Sequence, residues 1–323
     1  MTIERMTRRR FLSRSIAALA AFCARPGLAA LGVSSVSDGA GNFKAVYLNV
    51  EARDRFYWFL QNVFHLYPED ELHQLIWDLT KEKATDREIY VELQKRLPAL
   101  HAPLAPLTYD LPALRKQKVE MAKQALAFLG PAPKADGFME VGSFGRYYSE
   151  LKHRMEISGP VYILNDPEPS FSLSDMAERG GVLRPGTDVA MGDYDAFGPE
   201  KVPDASLDLV ANYIGFHHAP PAKLDAFVAS LRRALRVGGR MIVRDHDVDS
   251  AKMSSMVALA HDVFNAGVKL TWEQNAAQVR LFRSMRDWNA YLSARGFKRS
   301  PRLLAQDHDP TQNLLAEYVK IRA

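Results

Sequence analysis

The chain has 323 residues with ordinary proportions of hydrophobic (47%) and charged (25%) side chains, and its formal net charge is +4. Such a composition is typical of a globular protein and excludes a fibrous or largely disordered chain. Residues 1–30 hold six arginines and one glutamate, a net charge of +5, which leaves −1 for the remaining residues. Because the positive charge is confined to this segment, we expect no nucleic-acid partner for the folded part of the chain.

Residues 1–30 predict a signal peptide. Residues 8–12 read Arg-Arg-Arg-Phe-Leu, and an alanine-rich run at 16–24 ends at Arg25 and Pro26. A bilayer-spanning helix needs about 20 apolar residues, so we expect no stable membrane anchor. The pattern resembles the twin-arginine motif, which implies the twin-arginine translocase as a partner and a location in the periplasm or outside the cell. One alternative is a basic disordered arm that precedes a short apolar stretch, and another is a cytoplasmic enzyme whose start is assigned too far upstream.

The rest of the chain predicts a linker and two further parts. The single cysteine, Cys23, lies in the predicted signal peptide, so residues 31–323 contain no thiol for a disulfide or for cysteine-ligated metal. A Ser/Gly-rich stretch predicts a flexible linker over residues 31–44. Residues 45–130 predict a helical cap subdomain, because they contain no glycine before position 130 and repeat apolar residues at helical spacing.

Residues 131–323 predict a domain in which strands and helices alternate, which favours a parallel sheet. Strands are predicted at residues 138–141, 161–164, 188–191, 207–213 and 240–244, and helices at 223–235, 251–266 and 285–294. Gly238-Gly239 predicts a turn after the first of these helices. The apolar residues 314–321 predict an edge strand.

The first strand of this domain leads into a glycine loop, which reads Glu140-Val-Gly142-Ser-Phe-Gly145. In an open parallel sheet, ligands bind at the carboxyl ends of strands, where glycine lets the backbone approach them. The next two predicted strands, residues 161–164 and 188–191, are each followed by an acid, Asp166 and Asp193.

In this order, residues 115–323 resemble the class I S-adenosylmethionine-dependent methyltransferases, especially the methyltransferase type 11 group. The resemblance implies an α/β fold with a Rossmann-like, mostly parallel seven-stranded sheet and an N-terminal helical subdomain. It also implies an enzyme that uses S-adenosyl-L-methionine to methylate an unidentified small-molecule or lipid-like acceptor. The implied cofactor-binding residues are Glu140, Gly142, Gly145, Asp166, Asp193 and Tyr194.

The individual acids have distinct implied roles. Asp166 would hold the ribose hydroxyls, since a carboxylate accepts two hydrogen bonds from a vicinal diol. Asp193 would lie beside the adenine amine. The glycine loop departs from the family pattern, because Phe144 and Arg146 stand where glycine is usual. Phe144 either blocks the cofactor or points away from it, and the first possibility favours a rival function: an exported non-catalytic binding protein with a degenerate methyltransferase fold.

Histidines follow the fourth and fifth strands. His217, His218 and His246 are candidates for a base that takes a proton from the acceptor. Metal binding is an alternative, because histidine and the nearby acids are good ligands, and a buried structural role is another. Since the spacing of these residues matches no recognised metal motif, the sequence predicts no metal site.

Overall fold

The computed structural model of the protein describes residues 41–64, 66–100, 111–166 and 170–322. The predicted signal peptide lies outside these residues, so export stays a prediction. The α-helices, in chain order, are α1 (Asn42–Tyr47), α2 (Val50–Phe59), α3 (Glu69–Glu82), α4 (Asp86–Leu100), α5 (Leu111–Leu129), α6 (Tyr148–Leu151), α7 (Leu173–Arg179), α8 (Pro221–Ala234), α9 (Ala251–Gly267), α10 (Trp272–Ala276) and α11 (Met285–Ser293), and a short π-helix, Leu60–Phe64, continues α2. Among these helices, none has the combined length and apolarity to cross a membrane.

Seven strands form one sheet. They are β1 (Lys134–Val141), β2 (Glu156–Asn165), β3 (Thr187–Ala190), β4 (Leu207–Asn212), β5 (Leu235–His246), β6 (Phe297–Ala305) and β7 (Asn313–Lys320). Their order is β3-β2-β1-β4-β5-β7-β6, with β1 to β5 parallel and β7 antiparallel to both of its neighbours. This confirms the predicted α/β fold. The winding direction reverses between β1 and β4, which is where open sheets of this kind bind ligands.

The end of the chain was predicted as an edge strand, and this is wrong. β7 lies between β5 and β6, and its residues Leu315, Ala316 and Tyr318 are fully buried. The edge is β6, which contains Pro301 and a shift in its pairing with β7. A proline, which has no backbone N–H to donate, and an irregular pairing both protect an exposed edge strand from pairing with another chain. The same features interrupt the hydrophobic pattern by which a strand is recognised in a sequence.

The predicted turn at Gly238-Gly239 is also wrong. α8 ends at Ala234 and β5 begins at once, so both glycines lie within the strand. Gly238 has a φ of 82°, and the pairing of β5 with β4 shifts between Leu235 and Arg240. A glycine inside a strand often marks such an irregularity, and it gives the same local sequence signal as a turn.

The N-terminal helices share a hydrophobic core with α9. Phe43, Phe56 and Leu72, from α1, α2 and α3, pack in one cluster with Val257 and Val263 of α9. Helix α1 begins at Asn42, three residues before the predicted start of the helical subdomain. Because α9 follows β5 in the chain, this core joins the N-terminal helices directly to the carboxyl edge of the sheet.

Helix α5 belongs with the sheet. Met121, Ala122 and Ala125 of α5 pack in one cluster with Phe138 of β1 and Leu209 of β4. The sequence placed this helix in the cap subdomain, residues 45–130. Among the described residues, the last N-terminal helix that shares a core with α9 is therefore α4, which ends at Leu100.

Candidate functional site

Glu140, near the end of β1, holds the glycine loop from inside the protein. Its carboxylate is fully buried and accepts hydrogen bonds from the backbone amides of Tyr147 (3.2 Å) and Tyr148 (2.7 Å) and from the hydroxyl of Ser143. Burial raises the pKa of Glu140, while these hydrogen bonds and the nearby Arg146 oppose the rise. Glu140 therefore positions the loop, and its carboxylate oxygens are engaged within the protein.

Both glycines of the loop have left-handed backbone conformations, with φ of 89° at Gly142 and at Gly145. The space where a side chain would stand is taken by other residues. A Cβ at Gly142 would lie 2.3 Å from Cδ1 of Ile214, and one at Gly145 would lie 2.7 Å from Cγ of Pro185. Ile214 follows β4 and is only partly buried, so its side chain covers Gly142 without being locked in the core.

The two residues that replace the family glycines are accommodated in different ways. Phe144 is buried, with 6% of its surface exposed. The guanidinium of Arg146 forms an ion pair with Glu178 of α7 and lies 3.4 Å from Oε1 of Gln117. Arg146 therefore ties the loop to two helices beside the sheet and does not extend over the carboxyl ends of the strands.

Asp166 and Asp193 come together beyond β2 and β3. Both carboxylate oxygens of Asp166 lie 3.2 Å from the backbone amide of Asp193, which donates to them. Gly192, Asp193 and Tyr194 have φ of 62°, 54° and 64°, a run of left-handed residues that costs about 1–2 kcal/mol for each one that is not glycine. Strain of this kind is concentrated at ligand sites in proteins.

Lys223 of α8 stabilises this strained turn. Its ammonium donates to the carbonyls of Gly192 (3.1 Å) and Asp193 (3.2 Å), and it pairs with Asp195 at 2.8 Å. The ring of Tyr194 packs in the core against Phe227, with ring centroids 5.1 Å apart. Of the two predicted residues in this turn, Asp193 is therefore the one whose side chain faces outward.

Three buried polar atoms at the same edge have no hydrogen-bond partner among the residues that the structure describes. They are Nδ2 of Asn165 at the end of β2, Oδ1 of Asn212 at the end of β4 and the hydroxyl of Tyr213. Buried polar atoms are nearly always satisfied in folded proteins. Asn165 and Asn212 lie on the two strands that flank β1, so their amide atoms are free to pair with water or with a polar ligand at this edge.

Four histidines lie together beyond β4 and β5, and we call them the histidine cluster: His217, His218, His246 and His261. The ring centroids of His217 lie 4.2 Å from those of His218, 5.4 Å from His246 and 5.2 Å from His261. The three predicted candidates are thus brought together, and His261, from α9, joins them. The cluster lies where the N-terminal helices, through α9, meet the edge of the sheet.

Asp245 organises one side of the cluster. Its carboxylate accepts from Nδ1 of His217 (2.8 Å) and from the backbone amides of Phe216 and His246, each at 2.8 Å. Burial is the main cause that lowers the pKa of His218 and His261 well below the usual value and the pKa of His246 to about 3, and the neighbouring His217 acts in the same direction. These three rings are therefore neutral near pH 7.

A separate surface cavity of about 220 Å³ lies between α2 and the β6–β7 turn. It is lined by Arg55 and Trp58 on one side and by His308 and Asp309 on the other. None of the predicted site residues contributes to it, so it is not the site described above.

Comparison with known protein families finds none that matches this chain, and no curated protein matches it. Among solved structures, the chain is similar to the 1,6-didemethyltoxoflavin-N1-methyltransferase of Burkholderia thailandensis, whose structure contains bound 1,6-didemethyltoxoflavin and S-adenosylhomocysteine. The identity is 15% and the TM-score 0.43, over 74% of this chain and 92% of that one.

Two further solved structures are similar to a comparable degree. A SAM-dependent methyltransferase from Aquifex aeolicus has 14% identity and a TM-score of 0.40, over 71% of this chain and 98% of its own. The mitomycin 7-O-methyltransferase MmcR has 17% identity and a TM-score of 0.43, over 86% of this chain and 75% of its own. At these values the similarity assigns no activity, cofactor or acceptor to this chain.

Proposed function

We propose that the protein binds S-adenosyl-L-methionine at the carboxyl ends of β1, β2 and β3 and transfers its methyl group to a small-molecule acceptor. The observation that carries this proposal is the pair of acids held together beyond the carboxyl ends of β2 and β3. Asp166 and Asp193 follow adjacent strands. Asp193 lies in a strained turn, and Lys223 of α8 holds that turn through its hydrogen bonds to the backbone. The family resemblance of the sequence gives both acids their role.

The residues present fit the nucleoside end of this cofactor. Asp166 is only partly buried, and its carboxylate accepts from the Asp193 amide among the described residues, which leaves lone pairs that can accept from two ribose hydroxyls. The orphan Nδ2 of Asn165 and Oδ1 of Asn212 are further polar groups at the same edge. At the other end of the site, the side chain of Ile214 occupies the space beside Gly142, and a ligand that uses this space would displace it.

Bound there, the cofactor would supply an electrophilic methyl group, and the chain would supply alignment and exclusion of water. The acceptor would lie beyond β4 and β5, where the histidine cluster and Phe282 line the junction with α9. The lowered pKa values of His218, His246 and His261 make these rings weak bases, so the cluster would line the acceptor site, and the proton that a hydroxyl or amine loses on methylation would pass to solvent.

Replacing Asp166 with alanine is expected to weaken binding of S-adenosylmethionine about 10- to 100-fold, because a hydrogen bond to a charged group contributes about 1.5–3 kcal/mol. Calorimetric titration of the full chain measures this effect. Asp204→Ala is the matched control, because Asp204 is an exposed acid that pairs with Arg233 away from the site. Equal affinities for the two variants would refute the proposed cofactor site.

A second function is favoured by one observation, the contact of Ile214 with Gly142. If that contact is permanent, the chain is a non-catalytic binding protein in which the methionine end of the site is closed. Ile214→Ala separates the two functions. The methyltransferase is expected to bind S-adenosylmethionine equally well or up to about tenfold more tightly in this variant, since about 1.4 kcal/mol corresponds to a factor of ten and no side chain has to move. No binding by the unaltered chain, together with binding by the Ile214→Ala variant, would show that Ile214 closes the site and would favour the non-catalytic protein.

A further inference from the structure

The rings of the histidine cluster are held in the way that metal-binding histidines are held. Nδ1 of His217 donates to the carboxylate of Asp245, and Nδ1 of His261 lies 2.9 Å from the carbonyl of Val257. His218 is hydrogen-bonded to the backbone of Val279. A histidine that ligates a metal usually donates its other ring N–H to a carboxylate or a backbone carbonyl, which fixes the tautomer and turns the free nitrogen toward the ion.

These partners create a conflict between two nitrogens. A backbone carbonyl can only accept, so Nδ1 of His261 carries its hydrogen and Nε2 carries a lone pair. The carboxylate of Asp245 accepts from Nδ1 of His217, so Nε2 of a neutral His217 ring also carries a lone pair. The two Nε2 atoms nevertheless face each other at 3.2 Å. Two lone pairs at that distance repel unless a proton on one of the two rings or a metal ion stands between them.

The distance suits a metal ion. Two ligands about 2.05 Å from a tetrahedral ion stand about 3.3 Å apart, close to the observed separation of the two Nε2 atoms. One ring nitrogen each of His217, His218 and His261 lies within 4.8 Å of the others. To complete the set, His218 has to approach by at most about 1.5 Å, judged from the same ligand geometry.

We propose that His217, His218 and His261 bind one divalent transition-metal ion, for which Zn²⁺ is the best match. An all-imidazole donor set suits zinc and its neighbours and disfavours Mg²⁺ and Ca²⁺, which prefer oxygen. The charged groups around the cluster are compatible with a cation, because Arg280 is already paired with Asp262 at 2.7 Å and Asp245 adds a further negative charge.

The site is closed on one side and open on another. The ring of Phe282 packs against His217 at 5.7 Å and against His261 at 5.3 Å, which shields the ion on that side. His217 is buried, whereas His218 and His261 are partly exposed and leave a path for the ion. Three protein ligands with one open position are typical of catalytic zinc, so the fourth position can hold water or a heteroatom of a bound molecule.

The test uses the untagged full chain after treatment with a chelator, and it requires no knowledge of the acceptor. Titration with Co²⁺ is expected to give one ion per chain with the intense visible absorption of a four-coordinate ion, and Zn²⁺ is expected to displace it. X-ray absorption of the zinc form should show imidazole nitrogens at about 2.0–2.1 Å. Substoichiometric binding, or the weak spectrum of a six-coordinate ion, would overturn the proposal.

Variants locate the ion. His217→Gln and His261→Gln are each expected to weaken Zn²⁺ binding more than about 100-fold, since loss of a partner behind a ligand already costs about 10- to 100-fold. His153→Gln is the control, because His153 is exposed and lies outside the cluster. Equal affinity in all three variants would place the ion elsewhere and refute the site. Should a cluster variant fail to fold, the imidazole count from X-ray absorption of the unaltered chain decides the question.

Discussion

Glu140→Gln is expected to lower the free energy of unfolding by about 2–4 kcal/mol and to abolish binding of S-adenosylmethionine. Hydrogen bonds to a charged group contribute about 1.5–3 kcal/mol each. The buried carboxylate accepts three of them, from Ser143, Tyr147 and Tyr148. A glutamine keeps one acceptor oxygen and turns an NH₂ group toward backbone amides that also donate, so the loop loses its anchor.

Chemical denaturation and calorimetry measure the two effects of this substitution. Glu150→Gln is a matched control nearby in the chain, because the Glu150 carboxylate pairs only loosely with the exposed Arg154, at 3.7 Å. We expect the control to change stability by less than about 1 kcal/mol. A Glu140 variant that is as stable as the control and binds the cofactor normally would show that the loop does not depend on this carboxylate.

Asp262→Ala is expected to destabilise the protein by about 3–5 kcal/mol, because it leaves a buried charge without its partner. The Asp262 carboxylate is 2% exposed and accepts from Arg280 (2.7 Å), Asn275 (2.8 Å) and Asn42 (3.0 Å). These partners lie on α1, on α10 and in the segment that follows α10. The network therefore joins the N-terminal helices to α9 and to the loop beneath the histidine cluster.

Thermal and chemical unfolding of this variant should be compared with those of Lys134→Ala. Lys134 forms an ion pair with Glu156 in which both side chains are mostly exposed, 73% and 62%. Exposed pairs contribute about 0–1 kcal/mol, so the control should change stability little. Similar losses in the two variants would mean that the Asp262 network does not hold the helices to the sheet.

The order of the elements could be predicted from the sequence, because each buried parallel strand is a short run of apolar residues and the runs alternate with amphipathic helices. The boundaries of strands are predicted less accurately at glycines, because a glycine occurs both in turns and at irregular positions inside strands. Gly238 and Gly239 carry the local signal of a turn, and only the pairing of β5 with β4 shows that they lie inside a strand. The edge position of β6 was missed because its charges and Pro301 suppress the hydrophobic pattern.

The candidate site could be predicted in part. Asp166 and Asp193 lie at strand ends, and strand ends of a parallel sheet meet at one edge, so their proximity follows from the fold. The contact of Ile214 with Gly142 brings together residues 72 positions apart in the numbering, and no local pattern records it. The sequence does not predict that His261 belongs to the histidine cluster, because its position beside His217 depends on how α9 packs across the edge of the sheet.

Hydrogen–deuterium exchange of the unaltered full chain, with and without S-adenosylhomocysteine, tests the central claim most directly. We expect the ligand to slow exchange in two segments, residues 142–148 of the glycine loop and residues 192–195 of the strained turn. Protection of both segments, and its loss in Asp166→Ala, would place the cofactor between β1, β2 and β3. Unchanged exchange in both segments at saturating ligand would contradict the proposed methyltransferase site.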